Sequence, residues 1–325
     1  MALREAHKRY CFYMQENDKS KEMTNLIDSI FREIKADRTT GAVELVKKGV
    51  DAIALFITHF QGNASEFMRE LIRVSKTMID AQPSMAPFFH LANSLLLAAE
   101  DCQEIGGMKT ATRGAAKDFL LHLETSMDQI AQIAGELIYG KSRVLTHSYS
   151  STVLRTLTEA WRRGRQFEVI CTEGRPNREG FQMAQKLGES YLPVQLQIDS
   201  AAAYKMKEVD LVFVGADCLS PLGLVNKVGT YGLALSARES KVPFYALCGT
   251  EKLLGAGMAK GFRILKKDPR EVWPHPAKGV EVLNFYYDTT PLDFLTGIVT
   301  EEGRMLGSEI LRRFQRMKVS KYFPA

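Results

Sequence analysis

Beyond Arg143 the chain breaks into short, β-branched apolar runs: "RVLTH", "FEVICTE", "PVQLQID", "DLVFVG", "PFYALC" and "VEVLNF". Helix-sized stretches such as "STVLRTLTEAWRRG", "REGFQMAQKLGES" and "TYGLALSARESK" separate most of them. Near-continuous apolar strands alternating with helices predict a parallel sheet covered on both faces, an open doubly wound α/β domain. The segment "LLGAGMAKGFRILKKDPREVWPHPAKG" interrupts this rhythm and reads either as a long surface excursion or as a mobile lid.

The preceding residues obey a different period. "MTNLIDSIFREIKAD" sets Leu26, Ile27, Ile30, Phe31 and Ile34 on one stripe, and "GAVELVKKGVDAIALFITHF" does the same with Val43, Val46, Val50, Ile53, Ala54 and Ile57. "ASEFMRELIRVSKTMID" and "GAAKDFLLHLETSMDQIAQIAGELIYG" continue the pattern until Gly140 stops it. The expected organisation is therefore an all-helical domain over residues 1–140, then a Rossmann-like α/β ligand-binding domain over residues 141–325.

Composition excludes several classes. The five cysteines stand far apart, without CxxC or a Cys/His pair at metal spacing, which argues against a disulfide framework and against a metal site. No apolar run reaches membrane length and the amino terminus has no signal-like core, so a cytoplasmic protein without membrane contact is expected. A net charge of +5, spread through mixed-sign segments, suits small anions or merely a solvated surface and does not argue for nucleic acid. GxSxG, HExxH, GxGxxG and Walker A patterns are all missing, which removes support for hydrolase, zincin and dinucleotide-binding readings; no cofactor is expected.

In doubly wound sheets, ligands bind outside the carboxyl ends of the strands. "RVLTH" delivers Thr146, His147, Ser148 and Ser150 to that rim, "FEVICTE" delivers Arg175, "PVQLQID" delivers Asp199 and "DLVFVG" delivers Asp217. The loop after Asp217 carries Asn226 and Lys227 to the next helix, where Gly229 permits a tight turn and Thr230 can cap. Free helical N–H groups beside a lysine would cradle a phosphate; an ordinary capped helix with a solvated lysine reads as well. Asp217 is either an Asx-turn residue or a carboxyl whose burial lets it move protons. His147 is either a satisfied core histidine or a ligand group.

"LTHSYSSTVLRTL", "TEGRPNREGFQMAQKL", "LPVQLQIDSAAAYKMKEVDLVFVGAD" and "NKVGTYGLALSARESKVPFYAL" together resemble the family of translation initiation factor 2B alpha, beta and delta subunits. Ribose-1,5-bisphosphate and methylthioribose-1-phosphate isomerases are its enzyme relatives. "VEVLNFYYDTTPLDFLTGIVTEEG", with Asp288, Thr289 and Pro291, is similar to the family's carboxyl-terminal signature.

The resemblance implies that the isomerases' catalytic aspartate falls on Asp217 and their cysteine on Ser148, a departure, because a hydroxyl supplies no thiolate. It further implies ligand contacts from Arg175, Asn226, Lys227 and Lys252. An Arg-Gly-Ala-Gly string corresponds to "TGAV", leaving Gly41 with Arg38 as the nearby cation, and Gln82 stands where a phosphate-binding arginine would be. Three functions follow as expectations. The first is a regulatory or non-catalytic protein that binds a phosphorylated sugar or nucleoside monophosphate; the second is an aldose–ketose isomerase; the third is an assembly scaffold. Each is expected to self-associate into a dimer or larger homo-oligomer.

Overall fold

The computed structural model describes residues 19–37 and 40–324. Arg38 lies outside the described residues. Two compact units divide the chain: the described part of Met1–Leu123 with Lys260–Phe262 and the residues from Lys318, and then Glu124–Ala259 with Arg263–Met317.

The first unit is helical. Its helices are α1 (Lys19–Ala36), α2 (Ala42–His59), α3 (Ala64–Ala81), α4 (Ala86–Glu100) and the beginning of α5 (Ile105–Gly135). The predicted stripes are its core: Ile27, Phe31 and Ile34 of α1 and Val46, Ile53 and Ile57 of α2 are buried, joined by Phe67, Leu71, Phe88 and Phe89. An Asn63–Glu66 capping box opens α3. Among the described residues no helix is long and apolar enough to cross a membrane.

The second unit is built on a seven-stranded sheet. Its strands are β1 (Ser142–His147), β2 (Phe167–Thr172), β3 (Val194–Gln197), β4 (Leu211–Val214), β7 (Phe244–Leu247), β9 (Gly297–Thr300) and β10 (Gly303–Met305), with β5 (Cys218–Ser220), β6 (Gly223–Lys227) and β8 (Tyr287–Thr290) in a separate sheet. The spatial order is β10-β9-β7-β4-β1-β2-β3, parallel except for the antiparallel β9–β10 pair.

Successive residues of the inner strands feed opposite cores. Val144, Val169 and Phe213 pack with α6 (Ser151–Arg162), α7 (Glu179–Glu189) and the end of α5. Leu145, Ile170, Val212 and Val214 pack with α8 (Asp199–Lys205), α9 (Thr230–Ser240) and α11 (Gly307–Phe314), whereas the short α10 is Ala256–Ala259. Consecutive apolar residues along a strand are what two covered faces require. The predicted doubly wound α/β architecture, preceded by helices, is the observed one.

Two local expectations are corrected. "VEVLNF" is not a strand: only Phe285 makes an isolated bridge, to Lys266, and Val280 and Leu283 are exposed. The loop expected after Asp217 is instead a β5–β6 hairpin, which β8 extends to a three-stranded antiparallel sheet. The excursion after Leu253 is pinned at its far end, where Asn284 Nδ2 and Tyr286 Oη donate to Glu271 at 2.7 Å.

Candidate functional site

Progression along the chain places β1, β2 and β3 outward on one side, then β4, β7 and β9 on the other. The order therefore reverses between β1 and β4, where a doubly wound sheet opens a crevice beyond its strand ends. Ser148 follows β1 and Asp217 follows β4, so both stand at this reversal.

Ser148 is buried and takes a left-handed φ of 67°, a conformation that non-glycine residues adopt at a cost. The turn it makes frees Ser150 to cap α6, its Oγ accepting from the Val153 N–H at 3.3 Å. Gly215 lies so close that a Cβ there would stand 2.7 Å from Ser150 Oγ. Thr146 is buried within β1, between β2 and β4.

His147 has both ring nitrogens engaged. Nε2 lies 2.9 Å from the Val228 carbonyl and Nδ1 lies 2.5 Å from Thr172 Oγ1. A carbonyl only accepts, so the imidazole carries its proton on Nε2 and accepts from the threonine hydroxyl at Nδ1. Burial lowers its pKa, against the pull of the Val228 hydrogen bond and of Asp199. The Asp199 carboxylate accepts from the backbone N–H groups of Gly174 and Arg175, each at 2.8 Å, and so clamps the loop that carries the Arg175 side chain.

Asp217 keeps partial solvent contact, yet crowding around its carboxyl pushes its pKa above the ordinary aspartate value. Lys252 and Lys227 oppose that rise and Glu179 adds to it. Lys252, on the turn after β7, is buried and forms no ion pair among the described residues. Lys227 is buried as well but firmly paired: its Nζ meets Glu179 Oε1 at 2.6 Å and stands 4.7 Å from the centre of the Tyr286 ring. Asn226 Nδ2 donates to Thr230 Oγ1 at 3.0 Å, and that hydroxyl donates to the Lys227 carbonyl at 2.6 Å.

At the start of α9, Gly229 has a φ of 107°, and its N–H and that of Tyr231 donate to Asp288 Oδ2 at 2.7 and 3.1 Å. The backbone donors expected to receive a phosphate thus meet a carboxylate from β8. Burial raises the Asp288 pKa, the two N–H donors lower it, and its Oδ1 is buried without a hydrogen-bond partner among the described residues.

Ser148, Arg175, Asp217, Asn226, Lys227, Gly229, Thr230 and Lys252 all belong to the α/β unit. Gly41 and Gln82 belong to the helical one, with Gly41 at the start of α2 and the Gln82 amide donating to the Ile34 carbonyl at 2.7 Å.

Sequence reasoning did not single out Glu179 or Tyr287. Glu179 opens α7, where an acid suits the helix dipole and so draws no attention. Tyr287 is raised well above the ordinary tyrosine pKa by burial and by Asp217 and Glu179, so its phenol keeps its proton. The β6–β8 pairing sets Tyr287 opposite Lys227, and the Lys227–Glu179 ion pair brings in Glu179.

Comparison with known proteins identifies the family. A Pyrococcus furiosus protein carrying the name eIF-2B subunit 2-like is 33% identical over 85% of this chain and 95% of its own length. Ribose 1,5-bisphosphate isomerase of Archaeoglobus fulgidus is 30% identical over 83% of this chain and 86% of that protein. The crystal structure of the Pyrococcus horikoshii translation initiation factor eIF-2B superposes with a TM-score of 0.76 at 29% identity, covering 88% of this chain and 98% of that one. The model of the Initiation factor 2 subunit family (IF-2B) matches residues 38–306, and the chain belongs to that family.

Proposed function

We propose that this protein holds a phosphorylated sugar or nucleoside monophosphate at the carboxyl ends of β1 and β4 without turning it over, as a regulatory member of its family. The observation that carries this reading is Ser148, a hydroxyl at the β1 turn, on the same strand-end rim as the half-buried Asp217 carboxyl and two buried lysines. Proton abstraction from a sugar carbon needs a strong base at hand, and a serine hydroxyl is far too weak an acid to provide one unaided.

The nearby thiols do not replace it. Cys218 follows Asp217 directly, but burial drives its pKa up, and burial pushes Cys171 up to about 12. Neither supplies a thiolate near neutral pH. Lys252 and the Arg175 guanidinium supply positive charge for an anionic ligand, and Asp217 and Glu179 supply acceptors for its hydroxyls.

One observation favours a second reading, aldose–ketose isomerisation. The raised pKa of Asp217 holds it toward the protonated form, which suits a general acid. The names of the relatives divide in the same way, between an initiation factor subunit and an isomerase.

Incubation with ribose-1,5-bisphosphate, methylthioribose-1-phosphate and ribose-5-phosphate, followed by NMR, separates the two. No conversion is expected. Conversion that Asp217→Asn abolishes would overturn the non-catalytic reading. A thermal-shift series with AMP, GMP and the same sugar phosphates addresses binding itself, because a ligand that favours the folded state raises the melting temperature. A pure scaffold would show no rise with any of them.

A further inference from the structure

The Lys227–Glu179 pair alters what this site can accept. Lys227 is the cation nearest the start of α9, yet its ammonium is already neutralised at 2.6 Å by a carboxylate that is itself largely buried. The backbone donors beside it, Gly229 and Tyr231, are held by Asp288. This end of the site therefore offers an incoming phosphate neither an unpaired cation nor those two N–H groups.

Glu179 has a second oxygen to satisfy. Its Oε2 is buried and has no hydrogen-bond partner among the described residues. It stands close to the β1 turn, since a Cβ built on Gly174 would lie 3.4 Å from Glu179 Oε2 and equally 3.4 Å from the Ser148 Cα. Gly174 itself has a φ of 74°, a conformation that favours glycine. A carboxylate oxygen only accepts, and a buried acceptor without a partner is costly until a donor reaches it. A ligand hydroxyl is such a donor. A phosphate dianion brings acceptors and like charge.

Resting on the reading of the site as one for a phosphorylated sugar, we infer that Glu179 sets the charge of the ligand. It receives a free hydroxyl with Oε2 and turns away a second phosphate, so that the protein takes sugar monophosphates in preference to bisphosphates. Glu179 is thereby a specificity-determining residue, and the single phosphate is met by the cations that Glu179 does not neutralise.

Calorimetric titration of the full chain with ribose-5-phosphate and with ribose-1,5-bisphosphate tests this. Wild-type protein is expected to bind the monophosphate at least as tightly as the bisphosphate. Glu179→Gln, which keeps a hydrogen bond to Lys227 but removes the charge, should tighten bisphosphate binding about tenfold or more and change monophosphate binding less than about threefold. Glu179→Asp, which keeps the charge, should hold the wild-type ratio.

Equal changes for both compounds in Glu179→Gln would remove Glu179 from ligand selection while leaving the site reading intact. Binding of neither compound to wild-type protein would sink the site reading and this inference together. Should Glu179→Gln fail to fold, the wild-type ratio still decides, because tighter binding of the bisphosphate overturns the inference.

Discussion

Two helices begin at the same rim, and their first turns are closed in opposite ways. α6 is capped from within: Ser150 reaches three residues forward to Val153. α9 is capped from afar: its Gly229 and Tyr231 N–H groups meet Asp288, 59 and 57 residues along the chain. A serine hydroxyl is small and neutral, and it leaves the rest of its turn open. A carboxylate brings the negative charge that the helix dipole attracts, so at α9 the protein itself supplies what an anionic ligand would supply. The polar surroundings of two otherwise similar strand-to-helix junctions therefore differ. The junction after β1 is left open, as the proposed ligand site requires, whereas the one after β6 is closed by the fold itself.

If that contrast is real, removing the distant cap should cost more. Asp288→Ala deletes the acceptor of two charge-assisted hydrogen bonds. It also relieves a carboxylate whose other oxygen lacks a partner, which offsets part of the loss. A net destabilisation of about 2–3 kcal/mol is expected in urea denaturation at neutral pH. A loss below about 0.5 kcal/mol would mean that water satisfies those donors equally well, and the start of α9 would then count as open to ligand.

Ser150→Ala sharpens the comparison from the other side. Losing a local hydroxyl cap should cost about 1 kcal/mol, roughly half the effect at Asp288 or less. The same denaturation experiment reads both variants. A larger loss for Ser150→Ala than for Asp288→Ala would invert the assignment of the two junctions.

How far this was legible in the sequence follows the same division between local and distant. Strands β1, β2 and β4 announce themselves, because a strand covered on both faces carries consecutive apolar residues, and Val144–Leu145, Val169–Cys171 and Leu211–Val214 are such runs. Asp217 at a strand end was legible for the same reason. The β5–β6 hairpin was not. Its two connecting residues are Pro221 and Leu222, which carry none of the Asn-Gly or Gly-first chemistry of the common two-residue turns. "VEVLNF" misled in the reverse direction, since β-branched residues form a strand only where a neighbouring edge exists to pair with. Asp288 could be quoted as part of a motif, but its use as a cap depends on β8 pairing with β6. The partnership of Glu179 with Lys227 spans 48 residues, and no local pattern records it.

His147 ties the two junctions together, and it yields the smallest of the expected effects. It ends β1, one residue before Ser148, and donates to the Val228 carbonyl one residue before Gly229. Burial holds its pKa below the ordinary 6.5, with Lys227 acting in the same direction and Asp199 and Glu179 against it. As pH falls through 6.5, the unfolded chain takes up a proton that the folded chain refuses, so stability is lost on the acid side and unaffected above. The loss attributable to this one residue is at most about 0.8 kcal/mol by about pH 6. His147→Gln retains a hydrogen-bonding side chain but cannot titrate. Its stability, followed by urea denaturation from about pH 8 to about pH 6, should lack that acid-side step relative to wild type, whatever its offset at the alkaline end. Parallel curves for the two proteins would mean that His147 takes up its proton as readily folded as unfolded. The β1 turn and the start of α9 would then be joined by a contact that protonation leaves undisturbed.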